Sequence, residues 1–203
     1  MSSMNTPIVG IAGGIGSGKS AVAGHFVQLG AVLVDADRLA KDALLRPDVI
    51  AKLTDWWGTD ILDDQGLPDR GRIADIVFHD PDQRSRLESV IHPIVQAERN
   101  QIIRQAKDDP DVPMVVLDVP LLFEVGLHDQ CDAVVFVDVD FQTRLRRVQM
   151  SRGWSGEELR RREKSQWPLE KKLALSDYVI QNNAREAECF DHVRGVFTRI
   201  VSS

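Results

Sequence analysis

The residues with the clearest chemical potential lie near the N-terminus, where Gly13-Gly14-Ile15-Gly16-Ser17-Gly18-Lys19-Ser20 has the spacing GxxxxGK[ST]. The glycines permit a tight turn whose backbone N–H groups point inward, and such a ring of donors suits phosphate oxygens. In this pattern the lysine reaches the β- and γ-phosphates of a nucleotide, and the Ser20 hydroxyl is a Mg²⁺ ligand. The segment predicts a binding loop for a nucleoside triphosphate. The competing interpretation is a glycine-rich turn that only joins a strand to a helix.

Asp35 is the candidate for the acceptor side of a phosphoryl transfer. It ends the apolar run that follows the glycine-rich segment, and Asp37 lies two residues further on. A carboxylate at this place can accept the proton of an acceptor hydroxyl and orient the attacking oxygen. An aspartate before a helical run is also a common N-cap, and Asp37 is the better candidate for that structural role.

Basic residues are concentrated in the segment 144–172, which holds ten basic residues against four acidic ones, an excess of six positive charges. Most of these arginines fit a solvated helix whose Arg and Glu side chains pair at helical spacing. A phosphotransferase also needs mobile cations that cover the transferring group. We expect Arg147, Arg152 or both to reach phosphate.

His92-Pro93 interrupts an otherwise helical pattern. Proline lacks an amide donor and is favoured at the first position of a helix. The pattern therefore predicts a new helix start, which would place His92 beside an anion-binding N-terminus. The alternative is a histidine with a purely structural role.

Short apolar runs predict the elements that position these residues. Strands alternating with helical patterns indicate a parallel α/β sheet, and carboxylates at strand ends mark the edge that binds ligands. From about Pro47 to Asp109 no buried strand is visible, so we expect a helical insertion, and Glu186 to Val201 predicts a closing helix. The predicted strands are Ile8–Ala12, Ala31–Val34, Met114–Leu117, Ala133–Val137 and, more weakly, Tyr178–Ile180.

The overall composition excludes several classes of protein. With 25 Lys and Arg against 31 Asp and Glu, the net charge is −6, which argues against general nucleic-acid binding. No signal peptide or apolar stretch of membrane-spanning length is visible. Cys131 and Cys189 lie apart from each other and from any metal-binding pattern. We expect a single domain in the cytoplasm, without nucleic-acid or membrane partners, as a monomer or weak homo-oligomer.

Taken together, the motifs resemble the dephospho-CoA kinase family over nearly the whole chain. The segments that are specific to this family are PLLFE at 120–124 and His92-Pro93, whereas the glycine-rich loop is shared by many unrelated proteins. In the family's order come GGIGSGKS at 13–20, DAD at 35–37, Asp69-Arg70, Val77-Phe78, Leu87-Glu88 to His92-Pro93, Val119 to Glu124, Gln166, and Asp177 to Ile180 followed by Asn182.

The resemblance implies a P-loop nucleotide-kinase-like α/β fold, with a five-stranded parallel sheet flanked by helices, a helical acceptor-binding insertion and a helical lid. In this sequence the core would comprise 1–46, 111–143 and 173–203, the insertion 47–110, and the arginine-rich lid 144–172. The implied reaction transfers the γ-phosphoryl group of ATP to the ribose 3′-hydroxyl of dephospho-CoA, the last step of coenzyme A synthesis.

The motif and the resemblance also imply roles for individual residues. Asp35, Lys19 and the lid residue Arg152 would be catalytic, and Mg²⁺ would be held by Ser20. Asp118, which follows a predicted apolar strand, is a further candidate for holding the ion through water, although the resemblance does not require an acid at this position. The ATP-binding residues would be Gly14, Gly16, Ser17, Gly18, Lys19, Ser20, Ala21 and Asn182. The acceptor-binding residues would be Asp35, Arg70, His92, Pro120, Leu121 and Glu124.

Two other functions remain open at this point. A kinase of another small acceptor, such as a nucleoside monophosphate, would use the same loop and lid, although PLLFE and His92-Pro93 favour the coenzyme A pathway. A nucleotide-dependent switch is the other, but the sequence has no NKxD motif for reading a guanine base. The spacing of Arg147 and Arg152 departs from the family pattern, so the identity of the lid arginine stays open.

Overall fold

The computed structural model describes residues 6–183 and 186–202, which form two compact units. One unit comprises residues 36–102, and the other comprises the remaining described residues. Residues 1–5, 184, 185 and 203, which the expected core ranges include, lie outside the described residues. Within the described ranges, none of the helices has the length and apolar character needed to cross a membrane.

The larger unit is built on a five-stranded parallel sheet with the strand order β2-β3-β1-β4-β5. The central strands are rich in branched apolar residues because both of their faces are covered. All five predicted strands are confirmed. Their bounds are β1 Ile8–Gly13, β2 Val32–Asp35, β3 Val115–Asp118, β4 Ala133–Asp138 and β5 Tyr178–Gln181.

Helices cover this sheet and share one apolar core with it. Val9 of β1, Val135 of β4, Phe26 and Val193 are fully buried in the same cluster. The predicted closing helix at Glu186–Val201 is confirmed. The helices that lie within this unit are α1 Lys19–Gln28, α6 Phe141–Arg152, α7 Gly156–Glu163, α8 Leu169–Ala174 and α9 Glu186–Val201.

The smaller unit is helical and has a core of its own, formed by Val49, Leu53, Ile61, Ile73 and Ile91 with their neighbours. Its elements are α2 Ala36–Leu44, α3 Pro47–Trp57, a 3₁₀ turn at Thr59–Ile61, α4 Arg70–His79 and the first part of α5 Pro81–Asp108.

The predicted helix start at Pro93 is wrong, because α5 runs through Pro93 without ending. Proline in a helix removes one hydrogen bond and crowds the preceding turn. Pro93 is exposed here, so water can reach the carbonyl group that loses its partner, while Ile91 is held in the core of the smaller unit. His92 therefore lies on the exposed side of a continuous helix and not beside a helix N-terminus.

Candidate active site

The glycine-rich loop connects β1 to α1, as the motif requires. Gly16 and Gly18 have φ values of 77° and 83°, in the left-handed region that favours glycine. A Cβ atom at Gly16 would lie 2.9 Å from the Arg144 carbonyl oxygen, so the loop is also packed tightly against α6. The hydroxyl oxygen of Ser17 is buried and has no hydrogen-bond partner among the described residues. The loop thus has the conformation of a phosphate-binding loop before a ligand binds, and the Ser17 hydroxyl group has no partner within the described ranges that a ligand would need to displace.

Lys19 is the first residue of α1 and folds back over the loop, where its Nζ donates to the carbonyl oxygens of Gly13 and Gly14, each at 3.3 Å. Burial lowers the pKa of Lys19, the nearby Asp118 carboxylate opposes this shift, and the charges of Lys172 and Arg152 add to it. Several charged groups therefore lie close enough to Lys19 to affect its pKa. A phosphate group arriving here would stabilise the lysine's charge.

Ser20, Asp118 and Asp35 meet at the ends of neighbouring strands. The Ser20 hydroxyl donates to Asp118 Oδ2 at 2.9 Å. Asp35 and Asp118 are register partners at the last positions of β2 and β3. Because the three residues present only oxygen atoms, they fit Mg²⁺, which prefers oxygen ligands.

No group of three or more His, Cys, Asp or Glu side chains arranged to hold a metal ion occurs in the described ranges 6–183 and 186–202. A site with one serine, a carboxylate and substrate phosphates does not need such a cage, since Mg²⁺ usually keeps water and phosphate oxygens as ligands.

The alternative in which Asp37 is the N-cap of the following helix is wrong. Helix α2 begins at Ala36, so Asp37 lies inside its first turn and the residue that directly precedes the helix is Asp35. The carboxylate at the end of β2 therefore occupies the boundary between strand and helix, half-buried at the sheet edge.

Two arginines of α6 donate hydrogen bonds to backbone carbonyl groups of the glycine-rich loop. Arg144 donates to the Val139 and Ile15 carbonyl oxygens and forms an ion pair with Glu163. Arg147 donates to the carbonyl oxygens of Ser17 at 3.1 Å and Asn182 at 2.8 Å. This supporting role of Arg144 could not be predicted, because the sequence carries no signal for it beyond helical spacing.

Arg152 and Asn182 have different surroundings. Arg152 is exposed at the end of α6, with its guanidinium carbon 4.7 Å from the centre of the Trp154 ring, and its charge acts on Lys19. Asn182 is buried, and its side-chain amide donates to the Ser17 carbonyl oxygen at 2.8 Å. Asn182 thus supports the loop, and its contact with an adenine stays a prediction.

Glu124, a predicted acceptor-binding residue of the larger unit, takes part in an ion pair and a hydrogen bond. Its Oε1 lies 2.8 Å from Lys172 Nζ and accepts a hydrogen bond from the Trp167 backbone amide. Burial alone would raise the pKa of Glu124, but the hydrogen bonds from Lys172 and Trp167 outweigh it and hold the pKa below its usual value. Pro120 and Leu121 are exposed at the end of β3.

Arg70 and His92 belong to the smaller unit. Asp69 caps α4 by accepting hydrogen bonds from the Gly71 and Arg72 amides, and Arg70 is the exposed first residue of that helix. His92 is exposed on α5. Both side chains are accessible to a ligand, and their roles in acceptor binding stay predictions.

The parallel sheet, the loop between β1 and α1, and the carboxylates at the strand ends define a P-loop kinase fold. Solved structures share this fold, among them dephospho-CoA kinase from Campylobacter jejuni, with a TM-score of 0.71, 20% identity and coverage of 98% of this chain and 99% of that one.

The family model described as Dephospho-CoA kinase matches residues 7–188, and the chain belongs to this family. The dephospho-CoA kinase of Thermobifida fusca is 37% identical over 194 residues, which cover 95% of each chain. That of Geobacillus kaustophilus is 38% identical over 189 residues, covering 90% of this chain and 91% of the relative. The crystal structure of TT1252 from Thermus thermophilus has a TM-score of 0.77 and 31% identity, and covers 97% of this chain and 98% of that one.

Proposed function

We propose that this protein phosphorylates dephospho-CoA: it transfers the γ-phosphoryl group of ATP to the ribose 3′-hydroxyl and releases CoA and ADP. The observation that carries the proposal is the convergence of Ser20, Asp118 and Asp35 at the sheet edge beside the P-loop. Family membership and the relatives named above support the choice of acceptor.

In the proposed reaction, Asp35 orients the acceptor hydroxyl and takes its proton as the oxygen attacks the γ-phosphorus atom. A new O3′–P bond forms, and the bond from the γ-phosphorus to the oxygen shared with the β-phosphate breaks. The electron pair of that bond leaves with ADP. Lys19 and the loop amides hold the phosphate oxygens, while Arg152 neutralises the developing charge.

We propose Mg²⁺ as the cofactor, held by Ser20, with Asp118 acting through water. When bound, the ion neutralises charge on the β- and γ-phosphates. The Ser20–Asp118 hydrogen bond supports this assignment, because it fixes the serine oxygen beside an ionisable oxygen ligand.

For the other ranges we propose that the smaller helical unit contributes Arg70 and His92 to acceptor binding and that 144–172 serves as the lid. The accessible cationic side chain at the start of α4 and the excess of positive charge in 144–172 support these roles. Neither Cys131 nor Cys189 forms a disulfide, which fits a reducing compartment, and we place the reaction in the cytoplasm.

The test compares Asp35→Asn and Lys19→Met with the control Asp37→Asn in purified protein. Asp35→Asn should lower kcat by about 10²- to 10⁴-fold because the acceptor loses its base. Lys19→Met should lower kcat/KM by about 10²-fold or more because a phosphate-binding charge is lost. Asp37→Asn should retain the rate, since Asp37 is exposed in α2.

With dephospho-CoA as acceptor, the measurement is the formation of CoA and ADP. In parallel, with nucleoside monophosphates as acceptors, it is the formation of ADP and the nucleoside diphosphate product. Unchanged turnover in Asp35→Asn or Lys19→Met would contradict the mechanism. Faster turnover with a nucleoside monophosphate than with dephospho-CoA would contradict the acceptor.

A further inference from the structure

A buried ion pair that the proposed mechanism does not use lies in the larger unit. Lys172 Nζ is 2.8 Å from Glu124 Oε1, and the two side chains are only 3% and 15% exposed. Removing two charges from water is costly, and a buried pair often stabilises a protein less than an apolar pair would. A contribution to folding is therefore a weak explanation for this lysine.

The partners of the pair leave one oxygen of the carboxylate unused. Glu124 Oε1 receives both Lys172 and the Trp167 backbone amide, and Lys172 also donates to Gln166 Oε1 at 3.1 Å. Glu124 Oε2 is buried and has no hydrogen-bond partner among the described residues. A buried ionised oxygen without a donor is unfavourable, so a donor that arrives with a ligand would be bound strongly.

The ion pair of Glu124 and Lys172 lies near the glycine-rich loop. Helix α8, which carries Lys172, contacts β1, the strand that leads into the P-loop. The charges of Glu124 and Lys172 both act on Lys19. Phosphate oxygens only accept hydrogen bonds and are repelled by a carboxylate. A hydrogen-bond donor suits Glu124 Oε2 better than a phosphate oxygen does, and the acceptor substrate brings hydroxyl groups.

We propose that Lys172 is a positioning residue: it holds Oε1 of Glu124 so that Oε2 stays available to a hydroxyl group of the acceptor substrate. The inference rests on the proposed kinase activity and on the acceptor-binding role expected of Glu124, and it adds Lys172 as the residue that orients Glu124. Lys172 acts through Glu124 and does not itself touch the acceptor.

The pH dependence separates positioning from packing. The charged side chains that face Glu124 are Lys172 from α8 and Lys19 from α1. The Lys172 ammonium group holds the pKa of Glu124 down, so its removal raises that pKa. In Lys172→Met the carboxyl group would take up a proton at a higher pH than in the wild type. The acid limb of kcat/KM for dephospho-CoA should move to higher pH, because that limb reports groups of the free enzyme.

The experiment measures steady-state kinetics for both substrates in the full chain. The variants are Lys172→Met, Glu124→Gln, the double variant, and Lys171→Met as the control. Lys171 is the neighbouring exposed lysine, with Nζ 3.5 Å from the centre of the Trp167 ring, so its replacement removes the same charge from the same helix.

We expect Lys172→Met and Glu124→Gln each to raise KM for dephospho-CoA about tenfold, while KM for ATP changes less than about twofold. Lys171→Met should retain both values. Because the pair acts as one unit, the double variant should fold and show the same raised KM as either single variant.

Three outcomes would overturn the proposal: equal kinetics and pH profiles in Lys172→Met and Lys171→Met, a wild-type KM in the double variant, or an equal rise of both KM values. The double variant has no unpaired buried charge, so its KM for dephospho-CoA still tests the proposal if Lys172→Met does not fold. A wild-type protein that does not phosphorylate dephospho-CoA would instead contradict the proposed function, before any variant is compared.

Discussion

Asp118 ends β3 beside the serine of the glycine-rich loop and beside Asp35. It accepts a hydrogen bond from Ser20 and is the register partner of Asp35. A neutral amide at this position would keep the shape of the side chain but remove the negative charge next to the serine. The effect of that charge on metal binding can therefore be separated from its effect on the fold.

Asp118→Asn should raise the Mg²⁺ concentration needed for half-maximal activity by about tenfold or more, as is typical when a group supporting a metal ligand is lost. The measurement is initial rate against Mg²⁺ concentration at saturating ATP and dephospho-CoA. Asp138→Asn is the control, because Asp138 also ends a strand but accepts from the Gln181 side chain at 2.7 Å. Equal Mg²⁺ dependence in the two variants would contradict a role for Asp118 in metal binding.

Single residues could be predicted where a motif fixes both their type and their spacing. Lys19 and Ser20 belong to such a motif, and Asp35 follows the next apolar run. Lys172 could not be singled out, because it is one of ten basic residues in 144–172 and only the fold shows that it is buried against Glu124. Pairing between residues distant in sequence depends on tertiary packing, which the local spacing of residues does not reveal.

Helix α6 illustrates how one element serves two purposes. It begins after Asp140, whose side chain accepts from the Thr143 amide, and ends at Gly153 in the left-handed conformation. Arg147 binds carbonyl oxygens of the P-loop, whereas Arg152 is exposed at the last turn. The two arginines that the sequence left as alternatives thus occupy different environments.

Arg147→Gln should weaken ATP binding about tenfold, because the loop loses charge-assisted hydrogen bonds that fix its carbonyl groups. Arg152→Gln should lower kcat by about 10²-fold and weaken ATP binding only about two- to threefold, because its exposed charge stabilises phosphate oxygens mainly in the transition state. Calorimetric ATP titration and steady-state kinetics measure the two effects.

Arg146→Gln is the control for both variants, since Arg146 is exposed on the same helix. The assignment would be contradicted if Arg147→Gln lowered kcat with unchanged ATP affinity, or if Arg152→Gln matched the control in kcat.

At the scale of the whole molecule, the strands of the sheet could be predicted more readily than the helix that runs through Pro93 or the division of the chain into two units. The five strands follow from short apolar runs that are covered on both faces. The prediction at Pro93 failed because a local signal for a helix start was outweighed by an apolar face that continues through it, with Ile91 in the core of the smaller unit. The division at residues 36–102 depends on which helices pack together, which periodicity alone does not reveal.

The distribution of charge is also a property of the whole chain. The net charge is −6, yet 144–172 carries ten basic residues against four acidic ones. Part of this charge is already paired, as in Arg161 with Glu158 at 2.8 Å. Arg152 lies near Lys19 and adds positive potential there. An acidic protein can thus attract polyanionic substrates through a local excess of cations.

Salt should therefore weaken ATP binding, and the size of this effect should depend on Arg152 more than on Arg161. Raising KCl from about 50 to about 500 mM shortens the screening length severalfold, so KM for ATP should rise about three- to tenfold in the wild type. Arg152→Gln should flatten this dependence because it removes an exposed charge beside the phosphate site. Arg161→Gln should retain it, since that charge is 74% exposed and already paired with Glu158. Steady-state KM values over the salt series give the slopes, and equal slopes in the two variants would contradict this account of the lid charge.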